Sequence, residues 1–184
     1  MSKVIVVTGA GTGMSRLMAR SFALGGDHTV YATMRAVMGR NAAKEDEALS
    51  FASRHNVELR PLELDILSED SIAEAARTVM GEQGRIDVLV HNAAHLYFGI
   101  TEAFSPAQLL ESHNTNAVGA MRVNRAVLPI MRKQKSGLLL WIGSGTSRVV
   151  PPFLAPYRPR RQPWTRWSVV CPTRSRASVS RRQF

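Results

Sequence analysis

The stretch Lys3–Arg16, K-V-I-V-V-T-G-A-G-T-G-M-S-R, constrains this 184-residue chain more than any other part of it. Val4–Val7 is short, wholly apolar and β-branched, the composition of a strand buried on both faces of a parallel sheet. Thr8 and three glycines follow at once, and from Ser15 to Leu24 apolar residues return at helical spacing. Strand, glycine turn and helix, in that order, let a backbone approach a pyrophosphate and aim helix N–H groups at it. The spacing G-x-G-x-x-G is not met, because Met14 stands where a glycine is required. The spacing that is met is T-G-x-x-x-G-x-[G], with Ser15 in the last place. A tight β–α turn without a ligand has the same layout, so the remaining residues must decide.

Taken in order, the chain alternates strand and helix. Thr29–Thr33 is a second β-rich run, residues 39–55 read as a helix, and Val57–Leu64 as a third strand closing at Asp65. Ser68 supplies an N-cap, with Glu69 and Asp70 in the first turn of a helix to about Met80. Arg85–His91 is a fourth strand, followed by helices opening near Ser105-Pro106 and from about Asn116 to Lys133. Leu138–Ile142 is a fifth strand, ending at Gly143-Ser144-Gly145. Five such alternations predict an α/β fold, a doubly wound parallel sheet with right-handed crossovers. In such sheets a ligand sits beyond the carboxyl ends of the strands, where strand order reverses. That rule singles out the turn from Gly9 through Thr12, Gly13 and Met14 to Ser15, then Met34-Arg35, Asp65-Ile66, Asn92–Ala94 and Ser144.

The formal charge of +10 invites a nucleic-acid reading, but residues 158–184 hold eight arginines, no lysine and no acid. Without those eight of the 24 basic residues, 16 bases face 14 acids in residues 1–157, a net of +2. The body is nearly balanced, so no nucleic-acid partner is expected for it. Cys171 is the only cysteine, which predicts neither a disulfide framework nor a metal site. No apolar run approaches the roughly 18 residues of a membrane span, and the N-terminus enters a strand without a leader pattern. A soluble, cytoplasmic body with no membrane partner is expected.

Several motifs together resemble the short-chain dehydrogenase/reductase family, classical type. The glycine turn fits its pattern. H-N-A-A at His91–Ala94 resembles the family's N-N-A-G, and N-T-N-A-V-G at Asn114–Gly119 resembles the segment holding its catalytic asparagine. A-V-L-P-I-M-R at Ala126–Arg132 resembles its next helix, and Ser144 and Tyr157 stand 13 apart, the family's spacing. The resemblance, which runs from Ser2 to Tyr157, implies a Rossmann-like nucleotide-binding fold and hydride transfer between a nicotinamide and a carbonyl or secondary alcohol. It implies Tyr157 as acid/base, Ser144 as hydrogen-bond partner of the substrate oxygen, and Asn116 holding a water in the proton path. It also puts Gly9, Thr12, Gly13, Met14, Arg35, Asp65, Ile66, Asn92 and Ala93 against the cofactor. Asp65 would meet the adenine, and Asn92 and Ala93 would line the cofactor's middle. An acid at the end of the second strand would repel a 2′-phosphate, whereas Met34 and Arg35 stand there, so NADP is expected over NAD. A solvated arginine at a strand end remains the alternative. Ser15, in place of the family's glycine, is expected to loosen the turn by adding a hydroxymethyl group. The family often pairs subunits through its helices, so a homo-oligomer is compatible with the resemblance.

The pattern stops after Tyr157. The family's Y-x-x-x-K lysine is replaced by Arg161, and Pro159 and Pro163 oppose the helix that would pair the two side chains. Residues 158–184 are expected to be a mobile Arg/Pro-rich tail appended to a nucleotide-binding body of residues 1–157, leaving the fold incomplete at its C-terminus. With synonymous codons chosen to permit it, Pro159–Trp167 read two bases on becomes A-K-A-A-M-D-A-L, and the aspartate is forced by Trp164-Thr165. An out-of-frame tail is therefore expected; the rivals are a genuine basic tail for an acidic partner, and a nucleotide-binding remnant that catalyses little.

Overall fold

The computed structural model describes residues 2–144 and Phe153. Tyr157, Arg161 and the expected tail lie outside the described residues, as do any strands after the fifth. Five strands, β1 (Val4–Val7), β2 (Thr29–Met34), β3 (Leu59–Glu63), β4 (Val88–His91) and β5 (Leu138–Trp141), form one sheet in the order β3-β2-β1-β4-β5. Every pairing is parallel. The helices are α1 (Gly13–Leu24), α2 (Ala42–His55), α3 (Glu69–Gln83), α4 (Pro106–His113) and α5 (Gly119–Gln134). This is the Rossmann-like doubly wound arrangement, and strand order reverses between β1 and β4.

The alternation of side chains along β1 assigns the two cores. Val4 and Val6 pack with Ile72, Val79, Val123 and Val127 from α3 and α5 on one face. Ile5 and Val7 pack with Ala19, Ala23 and Ala48 from α1 and α2 on the other. All four β1 residues are buried, as a strand covered on both faces requires. Among the described residues no helix is long and apolar enough to cross a membrane.

Element boundaries moved where side chains intervened. The fourth strand opens at Val88 rather than Arg85 because the Asp87 carboxylate accepts the Val4 N–H at 2.9 Å and is gripped by Arg85. The second helix opens at Ala42, not residue 39: Ala36 is left-handed at φ 53°, and the Gly39 and Asn41 N–H groups both turn back to its carbonyl. The third helix begins as expected, with the Ser68 hydroxyl accepting the Ser71 N–H. The last long helix is entered through a π-helical turn, Asn114–Val118, which periodicity did not reveal.

Candidate active site

At the reversal of strand order, a cavity of about 690 Å³ opens beyond the carboxyl ends of β1 to β4. Gly9, Thr12, Gly13, Met14, Arg35, Asp65, Ile66, Asn92 and Ala93 all line it. Asn116 and Ser144 are not part of that lining, and Tyr157 lies outside the described residues.

Thr8 splices the floor together. Its hydroxyl donates to the Val90 carbonyl at 3.1 Å and accepts the N–H groups of Asn92 at 3.0 Å and Ala93 at 3.2 Å. The turn after β1 is thereby fastened to the loop after β4. Gly9 makes the closeness possible: its φ is +70°, and a Cβ there would lie 2.9 Å from the Ala93 Cα. Gly13, at φ +59°, faces open space, with nothing within 4 Å of where its Cβ would be. The first turn of α1 carries neither an acidic residue nor a side-chain cap. Its N–H groups thus border a space sized and polarised for an anion. A glycine cradle, a free helix start and flanking cations suit a dinucleotide pyrophosphate.

Ser15 corrects an expectation. It is 1% exposed, and its hydroxyl lies 2.7 Å from the Gly9 carbonyl and 3.1 Å from that of Thr12. A hydroxyl within reach of two turn carbonyls ties the turn instead of loosening it.

At the end of β2, Met34 is buried while Arg35 is exposed at the cavity rim. Arg40, Asn41 and Lys44 join that wall, and sequence reasoning missed all three. The only available signal was their place around the start of the helix after Arg35: Arg40 precedes it, Asn41 is its N-cap and Lys44 lies in its first turn. Asp65 accepts the Leu67 N–H at 2.9 Å, and its own N–H donates to Ser71 Oγ at 2.9 Å.

The other end of the cavity is built by the loop after β4. His95 lines it, and the buried amide of Asn116 holds the His95 backbone from the π-helical turn, with Nδ2 also 3.2 Å from Ser112 Oγ. Beneath that loop, His91 stacks on Trp141 with ring centroids 3.9 Å apart, and its Nε2 lies 2.8 Å from Asn124 Oδ1. An acceptor at that place calls for the Nε2–H tautomer. Burial pushes the His91 imidazole down to about 4, against the opposing effect of the Asn124 bond. The stack joins β4, which carries Asn92, to β5, which leads to Ser144. Farther out, the Gly99 N–H donates to the Phe153 carbonyl at 3.0 Å, and the Phe98 and Phe153 rings lie 5.8 Å apart. The loop following β4 therefore touches Phe153.

Residues 3–158 match the family model described as short chain dehydrogenase. The chain is 31% identical over 142 residues to a 3-ketodihydrosphingosine reductase from Bacteroides thetaiotaomicron, covering 77% of this chain and 47% of that one. It is 31% identical over 157 residues to the short chain dehydrogenase pigC of Monascus ruber, covering 85% and 52% respectively. The structure superposes on an actinorhodin polyketide ketoreductase variant solved with NADPH at a TM-score of 0.81 and 26% identity, over 90% of this chain and 62% of that one. This chain spans about half the length of the relatives it matches in sequence.

Proposed function

The chain belongs to the short-chain dehydrogenase family, and on that premise we propose that it is an NADP-dependent oxidoreductase acting on a carbonyl or secondary alcohol. The observation that carries this reading is the cavity at the strand reversal, bounded by the glycine cradle, the first turn of α1 and the cationic wall at Arg35. The ketoreductase solved with NADPH and the ketone-reducing relative are consistent with it. When bound, the nicotinamide supplies the hydride. The chain's own residues supply position and the proton. The turn from Gly9 through Thr12 and Gly13 to Met14 would hold the pyrophosphate. Arg35 selects the ribose phosphate, Asp65 and Ile66 face the adenine, and Asn92 and Ala93 flank the middle. Ser144 hydrogen-bonds the substrate oxygen, and Tyr157 transfers its proton. Asn116 serves the proton path and shapes it by fixing the His95 loop.

Residues 1–157 form the nucleotide-binding body in this reading, working in the cytoplasm on a small-molecule substrate, with 158–184 as an appended tail. One observation favours a second reading, a body that binds nucleotide but turns over little: Arg161 and Pro159 stand where a lysine-bearing helix is wanted. An unperturbed tyrosine, with its pKa of about 10, offers little phenolate at pH 7, so the acid–base role depends on a cation placed to favour the phenolate. Loss of acid–base assistance costs roughly 10²–10⁴-fold.

The experiment is a fluorescence titration with NADPH and NADH, followed by assay against a panel of aldehydes and ketones. It compares this chain, its Tyr157→Phe variant and a chain with the reading frame restored after Tyr157. NADPH is expected to bind more tightly than NADH, and the restored chain to reduce carbonyls far faster. Equal affinities for the two nucleotides would sink the NADP assignment. Equal turnover by the original and restored chains would sink the impaired reading and the out-of-frame tail with it.

A further inference from the structure

The wall between β2 and α2 is more organised than a cluster of surface charges. Arg35, Arg40 and Lys44 line one side of the cavity, and none has a carboxylate within ion-pair distance among the described residues. The two carboxylates that line the cavity are engaged elsewhere. Asp65 accepts the Leu67 N–H, and Glu111 accepts the Tyr97 hydroxyl at 2.5 Å.

Two of these residues, Arg35 through its backbone and Lys44 through its ammonium, are tied together by one amide. Asn41 is 9% exposed; its Nδ2 donates to the Arg35 carbonyl at 2.5 Å, and its Oδ1 accepts from Lys44 Nζ at 2.7 Å. The Lys44 stem lies over the glycine turn: a Cβ on Gly11 would meet Lys44 Cδ at 3.3 Å and Met34 Sδ at 3.3 Å. The backbone between the cations is folded to match, with Ala36 left-handed at φ 53° and the Asn41 N–H returned to its carbonyl at 3.1 Å. A left-handed alanine is uncommon and is held here by the surrounding bonds. The ammonium is thus immobilised by a neutral acceptor and keeps its full charge for a ligand. An aspartate at position 41 would have cancelled that charge.

We propose that Lys44 is a second cationic ligand for the 2′-phosphate of the dinucleotide, and that Asn41 is the positioning residue that holds Lys44 and the Arg35 backbone in one cradle. The inference rests on the NADP reading and adds to it the residues that set the preference. A dianionic phosphate suits two cations on one wall, a point-like ammonium beside a planar guanidinium.

The test measures affinities for NADPH and NADH by fluorescence, and for 2′,5′-ADP and 5′-AMP by calorimetry, at low and high salt. The proteins are the parent chain, Lys44→Met, Lys44→Arg, Asn41→Ala and Asn41→Asp. Lys44→Met is expected to weaken NADPH and 2′,5′-ADP roughly 10-fold while leaving NADH and 5′-AMP within about twofold, and to flatten the salt dependence. Asn41→Asp, which folds a carboxylate onto the ammonium, is expected to collapse the preference to a similar degree. Asn41→Ala lowers it less, and Lys44→Arg retains part of it. Retained NADH binding certifies that each variant is folded; Lys44→Gln replaces Lys44→Met if that chain does not fold. A parent that prefers NADPH and keeps the preference in both Lys44→Met and Asn41→Asp would overturn the proposal while the NADP reading stands. Equal weakening of NADPH and NADH by Lys44→Met would also overturn it, by moving the lysine to the pyrophosphate. A parent with no preference would remove the NADP reading itself, and this inference with it.

Discussion

Asn116 holds both backbone polar groups of His95: Oδ1 accepts the His95 N–H at 2.6 Å, and Nδ2 donates to the His95 carbonyl at 2.7 Å. The amide copies the edge of a neighbouring strand and fixes the loop after β4 against the π-helical turn. Both groups of His95 are thus satisfied by a residue 21 positions away.

Replacing that amide should loosen the site before it unfolds the chain. Asn116→Ala leaves two backbone groups without their partner, at a cost of about 1–3 kcal/mol. Asn116→Asp keeps the acceptor but turns an anionic oxygen toward the His95 carbonyl, so it should not rescue. Urea midpoints and hydrogen exchange at His95 and Leu96 check this, and an unchanged exchange rate in Asn116→Ala would count against the clamp.

Ser15 separates two views of the glycine turn. Ser15→Ala should lose about 1 kcal/mol through the bond to the Gly9 carbonyl. Ser15→Gly, which restores the residue of the family pattern, should lose more, because a helical glycine adds roughly 0.5–1 kcal/mol. Thermal denaturation of the three proteins decides it; a more stable Ser15→Gly chain would show that the hydroxyl strains the turn.

Gly9 and Gly13 should respond differently to the same methyl group. Gly9→Ala meets the Ala93 backbone at 2.9 Å as well as a positive φ, so the nucleotide-free chain should itself be destabilised by about 2 kcal/mol or more. Gly13→Ala meets only the positive φ, with open space beyond, and should cost about 1 kcal/mol. Both methyl groups should reduce NADPH affinity. Unfolding curves without nucleotide, then titration, separate the two effects, and equal destabilisation would contradict the close approach at Gly9.

His91 should make the fold sensitive to mild acid. Its imidazole is held near 4 when folded and returns to its ordinary 6.5 when unfolded. Above pH 6.5 both states are neutral and the residue contributes nothing to pH dependence. As pH falls from 6.5 toward 4 the unfolded state takes up the proton first, so stability is lost across that window, by roughly 2 kcal/mol between pH 7.5 and 5. His91→Asn should abolish that part of the slope. Urea titrations at the two pH values test it, and an unaltered slope in the variant would assign the effect to other groups.

The β-branched run Val4–Val7, the alternation that sends Val4 and Val6 to one core and Ile5 and Val7 to the other, and the Ser68 cap are determined by local sequence. Each depends on neighbours within a few residues, and the same holds for the order of strand and helix that makes the sheet parallel. Local pattern also placed nine residues at the ends of β1 to β4, because a doubly wound sheet brings all its carboxyl ends to one side. Pairings across the fold were decided only by tertiary structure. In sequence Ser15 is a glycine lost from a pattern, whereas in the packed turn its hydroxyl finds the Gly9 carbonyl. His91 is a departure from an asparagine until β5 lays Trp141 against it. Lys44 and Asn41 read as ordinary residues of a polar helix start; the left-handed Ala36 and the crossover from β2 to α2 turn them onto the glycine turn. Hydrogen-bond partners depend on distances in space, and those distances are set by how the helices pack on the sheet, which no spacing along the chain records.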